Sequence, residues 1–312
     1  MLFIKKLIVC FLSLSQGFNP ALNNLGSMIT NRFNGNVKYV YENDNINKKQ
    51  QACVLFFTGL NGIIPGEIYS DFLNTLSSNN ISTYIADPSL EVNYDLLDDL
   101  VEEYSNVTVM GHSSGSVNAI LACNSNRNVK TAILMDPVDN SKLVKEVKER
   151  LSLKYVEDVL FLNAARSYEW KINPNEVKVP FIPTFRIDSN NLELKKGNSK
   201  TIEATEFGHS DILDNVWSDI MDRSISKGSD DRSEETMTEY RSWLANTIKN
   251  FITKEEIKEV VKKPEEYVEE AVLEISNFTK EVSDNVKLRL AKIIKSRREH
   301  KQKDTEILYR KP

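Results

Sequence analysis

The feature that most constrains this chain is an abrupt change of pattern. From Val107 to Met110 an apolar strand runs straight into Gly111-His112-Ser113-Ser114-Gly115, and Ser114 to Cys123 then reads as a helix. A strand can turn this sharply into a helix only where side chains do not collide, so glycines flank the turn. A serine at the centre of G-x-S-x-G in this setting is lifted over the end of a sheet. It stands at the head of a helix, whose N–H groups and dipole favour an anion. The pattern asks for a sheet on both sides of Val107–Met110.

The surrounding sequence supplies one. Ala52 to Thr58 (ACVLFFT) is a continuous apolar run, as expected for a strand covered on both faces. Further strands are expected at Ile81–Ala86, Thr131–Met135, Val159–Ala164, Phe181–Ile187 and Thr201–Phe207. Helical spacing recurs at Tyr69–Ser78, Tyr94–Tyr104, Ser141–Leu153 and Tyr240–Phe251. Alternating strands and helices predict an α/β fold, a mostly parallel sheet with helices on both faces. With 40% apolar residues in 312, the chain can bury a sizeable core.

Both ends stand apart. At the N-terminus Lys5 and Lys6 precede the short apolar stretch Leu7–Leu14, and Ser13 and Ser15 offer small residues for a cut before Gln16. That is the outline of a secretory signal peptide over residues 1–15, implying the secretory pathway. The apolar run is too short to anchor in a bilayer. A catalytic domain is expected over 16–251, with a polar linker at Lys227–Glu235. Residues 252–312 follow as a charged helical extension, in which Ile257, Val261, Val268, Val272, Ile275, Val282, Val286, Leu290 and Ile293 form an apolar stripe. A lone helix of this kind is marginal in water, so the stripe calls for packing, self-association or a membrane surface, the last helped by the basic run Lys292–Arg298.

Composition narrows the chemistry. Lys+Arg 40 against Asp+Glu 45 gives a net charge of −5, which argues against a nucleic-acid partner. The three cysteines, Cys10, Cys53 and Cys123, make neither a disulfide framework nor a zinc cluster, and no metal or cofactor is implied. A serine nucleophile needs a base within hydrogen-bond reach. With three histidines in the chain, elimination works. His112 is a neighbour of the serine inside the turn, His300 lies in the charged tail, and His209 follows the last strand in ATEFGHSDILD. His209 fits the chain order serine, acid, histidine. The acid falls between them at a strand end. Asp136 after TAILM and Asp188 after FIPTFRI both qualify, and sequence order does not choose. Backbone N–H groups of Ser114 and of Leu60, in Thr58-Gly59-Leu60-Asn61-Gly62, are the expected oxyanion donors.

Three segments together resemble chlorophyllase and its α/β-hydrolase relatives: GHSSGS, LMDPVDN and FGHSDILDN. The likeness covers roughly Gln51 to Phe251. Carried over position by position, it implies a triad of Ser113, Asp136 and His209, tipping the acid toward Asp136. The chain departs from the family at Ser114 and Ser116, where a basic residue and a glycine are usual, and at Thr58-Gly59, where the family has His-Gly. The resemblance implies a serine carboxylic-ester hydrolase acting through an acyl-enzyme on a hydrophobic ester or lipid with a long apolar chain. An acyltransferase would use the same residues. A non-catalytic interaction protein on a hydrolase scaffold is the reading from another class.

Overall fold

The computed structural model describes residues 40–41, 48, 51–60, 62, 64–86, 94–139, 151–168, 187, 192–224 and 227–254. The expected leader, the strand expected at Phe181–Ile187 (apart from Ile187), and the extension beyond Lys254 lie outside the described residues.

Among the described residues the main sheet has seven strands. At one edge β1 (Val40–Tyr41) pairs antiparallel with β3 (Ile81–Ile85). The other strands are β2 (Ala52–Phe57), β4 (Asn106–His112), β5 (Thr131–Met135), β7 (Asp158–Ala164) and β9 (Ser199–Ala204). From β3 onward every pairing is parallel, in the order β3-β2-β4-β5-β7-β9. A small parallel pair stands beside it, β6 (Ser152–Leu153) with β8 (Glu193–Leu194). The helix expected over Ser141–Leu153 therefore does not reach its predicted end. Leu153 is fully buried and the Ser152 carbonyl accepts from Asn124 Nδ2 at 2.8 Å, which holds this stretch extended.

Among the described residues the α-helices are α1 (Ser70–Ser78), α2 (Asp95–Glu103), α3 (Gly115–Ser125), α4 (Asn215–Ser224) and α5 (Glu234–Thr253). Alternation along β2 shows why its run is apolar throughout. Cys53, Leu55 and Phe57 pack with Leu97, Leu100, Val117 and Ile120 of α2 and α3 on one face. Val54 and Phe56 pack with Phe72, Leu73, Leu76, Leu244 and Ile248 of α1 and α5 on the other. Each such fully buried side chain contributes about 1.5–3 kcal/mol relative to exposure.

α5 starts inside the stretch that reads as a linker. Ser233 caps it by accepting from Thr236 N at 3.2 Å, and Glu234 and Glu235 complement the dipole of its first turn. Among the described residues no helix is long and apolar enough to cross a membrane.

The chain leaves β2 for β3 on one side and returns to β4 on the other. The carboxyl ends of β2 and β4 thus lie where the connections diverge, the place at which open parallel sheets form a crevice for ligands. The serine turn follows β4 and the Gly59-Leu60 turn follows β2. With the strand order and direction, this arrangement makes the α/β-hydrolase fold.

Candidate active site

The turn after β4 is built on close approach. A Cβ at Gly111 would meet Ser116 Cα at 2.6 Å, and one at Gly115 would meet Thr58 O at 2.3 Å and Phe57 O at 2.4 Å. Glycine at these positions lets the head of α3 rest on the backbone at the end of β2. Between them Ser113 has φ 55°, a left-handed conformation that costs a non-glycine residue about 1–3 kcal/mol. Backbone bonds hold it there: Ser113 N to Met135 O at 3.0 Å, Val138 N to Ser113 O at 3.1 Å, and Ser116 N to Ser113 O at 3.1 Å.

His209 comes from the loop after β9, which is clamped from several sides. Phe207 stacks on Tyr240 of α5 with ring centroids 3.9 Å apart and planes at 7°. Arg166 N donates to Phe207 O at 3.0 Å. Beyond the histidine, fully buried Asp211 accepts from Gly208 N and Ser229 N, both at 2.8 Å, from Ser218 Oγ at 3.1 Å and from Arg232 Nη1 at 2.9 Å. Residues 227–232, which read as a linker, are thus part of the wall that holds the histidine loop.

The outcome is a buried line of side chains. His209 Nε2 lies 2.9 Å from Ser113 Oγ, and His209 Nδ1 lies 2.5 Å from Asp136 Oδ2. A carboxylate accepts, so Nδ1 carries the proton and Nε2 faces the serine as an acceptor. Asp136 is the first residue past β5, with φ 44° and its N–H donating to Leu162 O at 2.7 Å. Ala164 N donates to its Oδ1 at 3.3 Å, and Ser167 Oγ reaches its Oδ2. These donors hold a buried charge that would otherwise be costly. Asp188, the other acid read from sequence, and His300 lie outside the described residues.

The loop after β2 folds into a tight turn. Gly62 N donates to Thr58 O at 2.8 Å, Ile64 N to Gly59 O at 3.1 Å, and Thr58 Oγ1 to Ile64 O at 2.5 Å. Leu60 has φ 51° and Gly62 φ 82°. Gly59 N donates to Tyr69 Oη at 3.1 Å and is thereby engaged inside the protein. Ser114 stands at the head of α3. Since Phe57 and Gly111 are register partners, the Leu60 and Ser114 turns follow adjacent strand ends.

His112 has a place of its own. Its Nδ1 lies 2.8 Å from Tyr69 Oη and its Nε2 3.1 Å from the His209 carbonyl oxygen. Burial, and then the neighbouring His209, push its pKa down to about 3, so the ring is neutral. Of these supporting groups, the sequence offered a signal only for Asp211, an acid two residues after the histidine in GHSD. Ser167 and Tyr69 carried none, because serines and tyrosines at helix edges are common. Among the described residues no group of His, Cys, Asp or Glu side chains is placed to hold a metal ion. Cys53 and Cys123 are buried thiols, and burial pushes the Cys123 pKa up.

No protein-family model and no curated protein matches the chain. Solved structures do. A ferulic acid esterase from Streptomyces cinnamoneus is 16% identical, with 69% of this chain and 71% of that one covered at a TM-score of 0.42. Est1E from Butyrivibrio proteoclasticus is 15% identical over 65% of this chain and 91% of its own, at 0.39. Esterase 2 of Thermogutta terrifontis is 12% identical over 68% and 91%, at 0.37.

Proposed function

We propose that this chain is a serine carboxylic-ester hydrolase, with Ser113 as nucleophile, His209 as base and Asp136 as the acid that orients it. The observation that carries the reading is the pair of contacts on His209, 2.9 Å to Ser113 Oγ and 2.5 Å to Asp136 Oδ2. As Ser113 Oγ bonds to the ester carbonyl carbon, its proton passes to His209 Nε2, and Asp136 stabilises the imidazolium. The carbonyl oxygen becomes an oxyanion facing the N–H groups of Leu60 and Ser114. Collapse breaks the bond to the alcohol, which leaves with the proton from His209. Water then gives a proton to His209 and attacks the acyl-enzyme. The acid departs, and Ser113 recovers its proton.

For the substrate we infer an ester with a long apolar chain. Its support is the likeness to chlorophyllase in GHSSGS, LMDPVDN and FGHSDILDN. A fluorophosphonate probe tests the nucleophile, because only an activated serine reacts with it. Labelling at Ser113, absent in Ser113→Ala, is the expected result. Hydrolysis rates across esters of increasing acyl and alcohol length test the substrate class. Product analysis with added alcohol separates hydrolysis from acyl transfer.

A further inference from the structure

We propose that His112 is a positioning residue for ester hydrolysis, tying the Gly59-Leu60 turn to the backbone of His209 through Tyr69. The proposal rests on the reading of Ser113, His209 and Asp136 above, and adds residues to it. Its basis is a chain of hydrogen bonds with a fixed direction. The His209 carbonyl can only accept, so His112 Nε2 carries a proton and donates across 3.1 Å. The buried imidazole is neutral, which leaves Nδ1 bare. Tyr69 O–H therefore donates to Nδ1 across 2.8 Å, and Tyr69 Oη accepts from Gly59 N–H across 3.1 Å. The links run from Gly59 through Tyr69 and His112 to His209.

Burial makes this path stiff. Tyr69 is 1% and His112 4% exposed, so water has little access to replace a lost partner. Tyr69 packs edge-on against Phe56, with centroids 5.2 Å apart, and edge-on against His112 at 5.6 Å. The His112 and His209 rings lie 4.9 Å apart, tilted by 30°. A Cβ on Gly59 would come within 3.2 Å of Tyr69 Oη and 3.7 Å of His112 Nδ1, so the turn is seated against both. Gly59 immediately precedes Leu60, the proposed oxyanion donor. An error in the turn misdirects that N–H, and an error at the His209 carbonyl moves the base. Both harm the transition state more than the bound ester.

An ordinary buried polar pair would stabilise the fold without favouring the transition state, and the test separates these roles. Tyr69→Phe keeps the ring and removes only the hydroxyl. The expected result is a fall in kcat of about tenfold or more with KM within about twofold. Affinity for a boronic acid, which mimics the tetrahedral adduct on Ser113, should fall by the same factor as kcat/KM. His112→Gln supplies an N–H and a carbonyl of its own and should retain more activity than His112→Met, which supplies neither. Combining Tyr69→Phe with His112→Met should cost little beyond either alone, because both break one chain. Unchanged kcat and boronic acid affinity in Tyr69→Phe, with only a lower Tm, would overturn the proposal. A wild-type chain that neither hydrolyses a short soluble ester nor reacts with a fluorophosphonate overturns the hydrolase reading and this one together. Wild-type activity with an inert Tyr69→Phe substitution overturns this one alone.

Discussion

Ser113 and Asp136 occupy equivalent places on neighbouring strands. Each is the first residue past its strand, each has a positive φ, and each donates its N–H to the last-paired residue of the next strand, Met135 and Leu162 respectively. The parallel ladder continues for one residue into both turns. Two side chains that leave adjacent strand ends in the same conformation rise over the sheet side by side. His209 spans the space between them.

That equivalence makes Asp136 the acid to test. Asp136→Asn should lower kcat by about four orders of magnitude, because an amide can hold the imidazole in the wrong tautomer. Asp188→Asn should change it little. Ser113→Ala and His209→Ala should each cost several orders, and their combination scarcely more. Steady-state kinetics on a short soluble ester, with far-UV circular dichroism to check folding, measures all of these.

Gly115→Ala should damage the fold before the chemistry. The added methyl meets carbonyl oxygens at 2.3 and 2.4 Å, and neither belongs to a side chain that can swing away. Overpacking of this kind costs about 1–3 kcal/mol, or more where backbone must shift. Urea denaturation should show a lower midpoint. Gly197→Ala meets nothing within 4 Å but has φ 79°, so it isolates the smaller conformational cost.

Acid should destabilise the native state through His112. Its pKa is 6.5 in an unconstrained chain and about 3 in the fold. Between those values the unfolded chain binds a proton that the native chain does not, so stability rises with pH across this window. The contribution is complete above 6.5 and is lost as pH falls toward 3. Urea midpoints measured from pH 7 down to pH 4 should fall, and the fall should be shallower in His112→Gln.

Ile252 is buried and α5 runs to Thr253, so a truncation that spares the α/β fold belongs after Lys254. If residues 255–312 bring the enzyme to a lipid surface, the truncated chain should hydrolyse a short soluble ester at the full-length rate and a dispersed lipid ester several-fold more slowly. Equal loss on both substrates would assign the segment to stability. No loss on either would remove the lipid role.

The strands β2, β4, β5 and β7 and the serine turn are legible because their signals are local, whereas the two-residue strands β1, β6 and β8 are too short to leave one. Unbroken apolar runs mark strands covered on both faces, and glycine spacing marks a turn in which backbone touches backbone. His209 stands out in the sequence through the scarcity of histidines, its place after the last expected strand and the motif FGHSDILDN. The rest of the clamp leaves no such mark, since Ser229 and Arg232 meet Asp211 only after the chain has passed through α4. The segment Lys227–Glu235 looked like a linker because its polar groups carry no periodicity, although several of them bond buried partners. Ser167 and Tyr69 were invisible for a related reason: a hydroxyl gains its meaning from what faces it. At Ser152–Leu153 a burial partner from a distant strand overrode local helical spacing.

The clamp also bears on the order in which the molecule comes into being. Synthesis delivers the serine first, then the aspartate, then the histidine, yet the histidine loop leans on Arg232 and on Tyr240. α5 is seated in turn by fully enclosed Arg241, which donates to Asp71, Asn215 and the Leu213 carbonyl. A nascent chain on the ribosome therefore carries Ser113 for more than a hundred codons before His209 can be fixed beside it. On the proposed reading of Ser113 and His209, activity waits on the helix Glu234–Thr253.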